Sequence, residues 1–372
     1  MPKNFLTVQV SDNRNIFMDT QACLDLFFEL VRIDSESGNE ANIREHLINL
    51  MKPLVSGWET DSRGNIKFTV PGTLDTAPRL LSSHMDTVAP GCGIKPVLGA
   101  DGVIRSNGDT ILGADDKDGI TAIICALRKV KKQNVPHAPL EILFTAGEEK
   151  SLSGSRYLEK DFISAPCAWV FDGPGAPGTI YRNGVGKKSF IIKVKGRAAH
   201  AGLAPEKGIN AFMLAVQGLT AFPPGRRDNA TVNYGTVSGG KADNIVPEEV
   251  VLTGEIRSRD TALLEKLTEE LFSAWQDFSE IEQLAGYPAY EETDETFLNR
   301  TKNIFSSCGI TPVVKDFSAG SDANHLARLG LKVCLLAMGR SDNHTKSEST
   351  RPEFISLMSD IAFKLMTCQE NI

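Results

Sequence analysis

LEILFTAGEEKSLSG, residues 140–154, is the stretch on which the fold turns. Its first six residues form an apolar run of strand length, and the chain then passes directly to Gly147, the acidic pair Glu148 and Glu149, and a Gly/Ser turn. Working outward, an apolar strand ending at His84 and a helix carrying Ile120, Ile123, Ile124 and Leu127 precede it, and a short helix near Leu158 and the strand AWVFD, 168–172, follow. Strands alternating with helices predict an α/β fold, a mostly parallel sheet with helices on both faces. Ligands bind such sheets at the carboxyl edge, so the polar residues that end these strands are the first candidates for chemistry.

The flanks fit the same scheme. Asp19 is placed to cap a helix in which Leu24, Phe27, Phe28 and Val31 recur at i, i+3, i+4 and i+7. A second amphipathic helix is expected around 40–55, and GWETDSRGNIKFTV, 57–70, reads as two short strands about a turn at Arg63, Gly64 and Asn65. After about Tyr181 the pattern changes: FIIKVKG, TVNYGTVSGG and EVVLTGEIRSR alternate over longer runs, with helices near 210–219 and 260–281, as in a separate α+β domain. Beyond Thr293 the helix and strand pattern resumes through TPVVKD and KVCLLAM. The closing helix has Thr350 and Glu353 as a capping box and Phe354, Leu357, Met358, Ile361, Ala362 and Leu365 as its buried stripe. The expected domains are therefore 1–180 and 294–372 together, interrupted by an insertion at 181–293.

Composition bounds the function. A chain of 372 residues with 41% hydrophobic and 23% charged residues is an ordinary globular protein larger than one core. Its net charge of -7, with both signs mixed along the chain, argues against a nucleic-acid partner. MPKNFLTVQVSDNRN lacks the apolar core of a secretory leader, and no apolar run approaches the ~20 residues needed to span a bilayer, so no membrane association and a cytoplasmic enzyme are expected. The seven cysteines are widely spaced and never form a C-x-x-C pair, which predicts packed, reduced thiols rather than disulfides or a thiolate metal site.

Five positions carry metal-ligand character: His84 in SSHMDTV, Asp115 in LGADDKDG, Glu149 in TAGEEKSLSG, Asp172 in VFDGPG and His344 in SDNHTKSE. Two imidazoles and three carboxylates suit two Zn²⁺ ions if one carboxylate bridges; Mn²⁺ or Co²⁺ would accept the same donors. Asp86, two residues beyond His84 on an extended segment, can fix the imidazole tautomer. Glu148 and Glu149, being adjacent, cannot serve one geometric role: one can bind metal while the other takes a proton from water. Each has a plainer reading. His84 alone reads as a core histidine, the glutamates as a solvated pair, Asp172 as a turn residue, and Asp116 and Asp118 as acidic residues at a helix start. His46, His137 and His325 read as structural or solvated.

In this order, HMDT, GADDKDG, GEEKSLSG, FDG and DNH resemble the zinc peptidase family that contains peptidase T, carboxypeptidase G, aminoacylase and succinyl-diaminopimelate desuccinylase. LGADDKDG and SDAN are most similar to its peptidase T-like branch. The resemblance spans roughly residues 20–370 and implies an α/β catalytic domain interrupted by a lid domain that dimerises. It implies that Asp115 bridges two ions, His84 and Asp172 completing one site and Glu149 and His344 the other. Glu148 becomes the general base and Asp86 the orienter of His84. AAHAG resembles the lid segment whose histidine, here His200, reaches the substrate carbonyl across the dimer, and Asn244 and Arg257 sit where the lid meets the substrate.

The expected function is hydrolysis of short peptides by a tripeptide aminopeptidase of the peptidase T type, acting as a homodimer. The alternative is an N-acyl amino acid deacylase or carboxypeptidase of the same family. A non-catalytic metal-binding homologue is disfavoured because Glu148 stands beside Glu149.

Overall fold

The computed structural model describes residues 19–370, so MPKNFLTVQVSDNRN lies outside the described residues. The chain divides into two compact units, one of Met1–Asn183, Glu291–Phe317 and Ser321–Ile372, the other of Gly184–Tyr290 with Ser318–Gly320.

The first unit is built on an eight-stranded sheet. Arg79–His84 lies between Leu140–Thr145 and Cys167–Gly173, parallel to both, and Lys332–Ala337 continues the parallel set beyond Cys167–Gly173. Gly57–Thr60 and Ile66–Val70 add an antiparallel edge, while Thr179–Tyr181 runs antiparallel to Lys332–Ala337 and parallel to Val313–Lys315. Parallel strands covered on both faces are buried along their whole length, and Leu140–Thr145 and Arg79–His84 are buried at every position, polar residues included. His84 pairs in register with Thr145, which leaves Glu148 and Glu149 in the loop just past the same edge.

The helix Ala114–Gln133 packs against Arg79–His84 and against Thr20–Val31 and Pro352–Thr367. Gly119 permits that approach: a Cβ there would stand 2.3 Å from the Phe171 carbonyl oxygen and 2.8 Å from Ser83 Oγ. Asp19 caps Thr20–Val31 by accepting from the Gln21 and Ala22 amides, and Leu24, Phe27 and Val31 are buried beneath it. The second unit is a five-stranded antiparallel sheet in which Gly186–Lys195 and Glu249–Ser258 are central, with Ala211–Ala221 and Thr261–Trp275 packed on a core around Trp275, Leu271 and Ile192.

Several elements differ from expectation. The helix predicted over 260–281 stops at Trp275, where the Ser279 hydroxyl donates to the Trp275 carbonyl, and Ser279–Tyr287 becomes an edge strand on Gly186–Lys195. Pairing along that strand outweighs the helical reading of a polar segment. The helix near Leu158 is two 3-10 turns, Ser155–Tyr157 and Lys160–Phe162. Thr350 does not cap the last helix: it pairs with Ile104 in a small sheet, and Pro352 starts the helix after Arg351. That sheet, formed with Pro96–Leu98 and Ile104–Ser106, was not anticipated. Cys92 is exposed, unlike the packed thiols expected. Among the described residues no helix is long and apolar enough to cross a membrane.

His325, in Asp322–Arg328, is buried and neither ring nitrogen finds a hydrogen-bond partner. Burial, aided by Arg328 and Arg156, pushes its pKa down to about 3. Below an unfolded value of ~6.5 the unfolded chain binds the extra proton, so stability falls as pH falls through this window. We predict that this group costs about 2 kcal/mol between pH 7 and pH 5. Urea unfolding at the two pH values should show a smaller acid loss for His325→Leu than for the wild type; equal losses would contradict it.

Candidate metal centre

His84 closes its strand at the carboxyl edge, almost fully buried. Its Nδ1 is 3.0 Å from the Asp86 backbone carbonyl and 3.4 Å from Asp86 Oδ1. A carbonyl only accepts, so Nδ1 donates and Nε2 is the ring nitrogen left to face the other acids. Nε2 faces Asp115 Oδ1 at 3.2 Å and Asp172 Oδ1 at 3.6 Å. Burial pulls the imidazole pKa down, but Asp115, Asp172 and Asp86 together hold it well above the usual value.

The Asp86 carboxylate is itself fixed, accepting from the Glu148 and Glu149 amides at 2.9 and 3.1 Å and from Ser37 Oγ at 2.6 Å. One buried acid thus ties the imidazole to the backbone of the glutamate pair. Burial resists its ionisation, yet His84 and these donors keep its pKa below the ordinary value.

Asp115 enters through a turn in which Gly113 takes φ +70°, and Asp115 and Asp116 depart from helical dihedrals before the helix settles. The Glu348 carboxylate braces this turn, accepting from the Leu112, Gly113 and Asp115 amides at 2.8, 2.8 and 2.9 Å. Asp115 then presents Oδ1 to His84 and Oδ2 to His344 Nε2, 3.4 Å away, with Asn343 Nδ2 donating to Oδ2 at 2.8 Å. Despite burial, Arg340 and the two imidazoles hold its carboxyl well below the usual range.

Glu149 Oε1 lies 2.8 Å from His344 Nε2 but accepts no aligned hydrogen bond and is buried. Glu148 is partly buried, and burial followed by the Asp172 charge drives its pKa well above normal. Burial also raises Glu149 and Asp172. His344 is half exposed, and Asp115 and Glu149 raise it to about 10.

Among the described residues, three sets of side chains bring one donor atom each within 4.8 Å of one another: His84 with Glu148 and Glu149, His84 with Asp116 and Asp172, and Asp115 with Glu149 and His344. Asp116 is therefore no solvated helix start. It is fully buried, with Oδ2 accepting from Ser83 Oγ and the His84 amide and Oδ1 from Arg340. Asp118 is equally buried, beside Arg340.

His200, Asn244 and Arg257 belong to the second unit. His200 is exposed, its Nδ1 accepts from the Gly202 and Leu203 amides at 3.2 Å, and the Asn244 carbonyl accepts from the neighbouring Ala201 amide. Arg257 is engaged by Glu255 through two hydrogen bonds. Elsewhere, His46 pairs with Glu29 and His137 Nδ1 meets the Ala138 carbonyl.

The sequence did not disclose Arg340, Glu348, Ser37 or Asn343. Arg340 and Glu348 flank His344 at four residues on either side, but spacing within a loop carries no facing rule, unlike spacing on a helix. The donor chemistry fits divalent ions of borderline softness: two imidazoles aim nitrogen at opposite oxygens of one carboxylate, and Glu149 Oε1 is a buried acceptor without an aligned donor.

Comparison with known proteins agrees. Residues 185–283 match the model of the peptidase dimerisation domain, and residues 65–198 match that of peptidase family M28. The chain is 34% identical to an uncharacterised Bacillus subtilis protein, YqjE, over 87% of this chain and 92% of that one. It superposes on the aminopeptidase PepT of Bacillus cereus with a TM-score of 0.86 at 32% identity, covering 94% of this chain and 98% of that one. A tripeptidase of Staphylococcus aureus gives a TM-score of 0.89 at 28% identity, with the same coverage. Fold and relatives together define a metallopeptidase, a hydrolase of amide bonds that depends on divalent metal. The chain belongs to the M20 zinc peptidase family.

Removing the brace on the Asp115 turn gives a direct check. Glu348→Ala should weaken metal binding by roughly 10- to 100-fold with the circular dichroism spectrum retained. An unaltered affinity, measured by chelator competition, would contradict this role.

Proposed function

We propose that the protein is a peptidase T-like aminopeptidase that releases the N-terminal residue of short peptides, tripeptides in particular, using two zinc ions. The observation that carries the reading is the Asp115 carboxylate, whose two oxygens face two histidines, His84 at 3.2 Å and His344 at 3.4 Å. His84, Asp115 and Asp172 would hold one ion, and Asp115, Glu149 and His344 the other. Similarity to a Bacillus cereus aminopeptidase and a Staphylococcus aureus tripeptidase supports the substrate class.

Bound ions would polarise the scissile carbonyl and acidify water. The remaining chemistry belongs to the chain. Glu148 takes the proton of the attacking water and returns it to the leaving amine; a carboxylate with a raised pKa is better matched to that proton than an exposed one. Asp86 positions this base, because its carboxylate holds the Glu148 amide while its carbonyl holds the His84 ring. His200 would donate to the oxyanion, and Asn244 and Arg257 would meet the substrate.

The second unit would form the homodimer. Phe212, Met213, Val216 and Val237 are large apolar residues left exposed on it, and the dimerisation-domain match covers all four. We assign the enzyme to the cytosol, in keeping with seven free cysteines.

Two measurements test this reading. Glu148→Gln should lower kcat by roughly 10² to 10⁴ while two ions per chain stay bound; lost metal with Glu149→Gln fully loaded would exchange the two roles. The wild type should release free N-terminal amino acid from tripeptides faster than it deacylates N-acyl amino acids, and the reverse order would make it a deacylase.

A further inference from the structure

Arg340 sits inside the acidic cluster with no side-chain exposure. Nη1 donates to Asp115 Oδ1, and Nη2 donates to Asp116 Oδ1 at 2.9 Å and to Asp172 Oδ1 at 3.3 Å. Nε makes no hydrogen bond and stands 3.5 Å from Asp118 Oδ2, an ion pair that answers its charge. A guanidinium keeps its charge at any accessible pH, so this is a permanent cation touching four buried carboxylates.

Its contacts are one-sided. Of the donors proposed for one ion, Asp115 Oδ1 and Asp172 Oδ1 are both shared with the guanidinium. Of those proposed for the other, Asp115 Oδ2 is held by Asn343, and Arg340 pairs with neither Glu149 nor His344 among the described residues. An oxygen whose charge is already partly neutralised attracts a second cation less. Two cations held on the same oxygens in a buried site also repel each other with little screening.

We propose that Arg340 is a positioning residue, a resident counter-cation that holds Asp115, Asp116 and Asp172 together before metal arrives and makes the two ion positions unequal, the one at His84 and Asp172 being the weaker. The inference rests on the two-ion reading above. Asp118 completes the device: it offsets the guanidinium from outside the proposed ligand set, which keeps the weaker position usable. Arg340 therefore has opposite effects on the two states of the protein, stabilising the metal-free chain and opposing one ion. A purely structural arginine would show only the first.

The test measures zinc binding to the full-length protein by chelator competition, together with thermal unfolding in excess chelator. The wild type should bind two ions at affinities at least about tenfold apart, and Asp172→Asn should abolish the weaker event. Arg340→Gln should tighten that weaker event by about tenfold or more while lowering the chelated Tm by roughly 5 °C or more. Arg340→Lys, which keeps the charge, should keep the two affinities apart. Should Arg340→Gln fail to fold, Asp118→Asn carries the test: leaving the guanidinium less compensated, it should weaken the weaker event further. Wild-type affinities in Arg340→Gln or in Asp118→Asn, an unchanged chelated Tm in Arg340→Gln, or loss of the tighter event in Asp172→Asn would overturn the proposal. Two equal wild-type sites would overturn it while leaving the two-ion reading intact. A wild type that binds no zinc would overturn that reading and this inference with it.

Discussion

Buried carboxylates must be met by positive charge or by hydrogen-bond donors, and the carboxyl edge of the parallel sheet gathers more of them than its own cations can answer. Asp86, Asp115, Asp116, Asp118 and Asp172 are all at or near full burial, with Glu148 and Glu149 beside them. Protein donors satisfy some completely. Asp86 is bound by two amides and a hydroxyl, and Asp116 by Ser83, the His84 amide and Arg340. Glu149 Oε1 instead faces the His344 nitrogen without an aligned donor, and Asp115, though Arg340 and Asn343 reach its oxygens, faces both imidazoles, a donor set that suits divalent ions.

The scaffold explains why the acids converge. Parallel pairing in register brings His84 level with Thr145, so the loop after Leu140–Thr145 delivers the glutamate pair beside the imidazole. Cys167–Gly173, next in the sheet, carries Asp172 one residue before its end, and Ala114–Gln133 carries Asp115 in its first turn, where Gly119 lets the helix lie close to Phe171 and Ser83. Each candidate donor except His344, which lies in the loop between Lys332–Ala337 and Ser349–Thr350, is carried by, or just beyond, an element with its own buried face, which is the usual way a fold supplies rigidity to a site.

Much of this was legible in the chain. Apolar runs of strand length mark Leu140–Thr145 and Cys167–Gly173, and the polar residues at or just past their ends are candidates because strand ends in such sheets face the ligand. The strand Ser279–Tyr287 was hidden because its residues are polar and half exposed, and only its neighbour Gly186–Lys195 reveals it. Glu348 and Arg340 escaped for another reason. Their partners, Asp115 among them, lie 168 to 236 residues away, and no local period encodes a contact that closure of the sheet creates. For Asp116 and Asp118 the sequence offers only helix-start chemistry, which says nothing about burial.

The central claim is that the Asp115 carboxylate is shared by two ions. Anomalous scattering from crystals of the zinc-loaded protein, collected on both sides of the zinc absorption edge, tests it most directly. Two zinc peaks should appear, one on either side of Asp115, the first against His84 and Asp172 and the second against Glu149 and His344. A single peak, or a pair that leaves Asp115 untouched and engages Asp116 instead, would contradict the account.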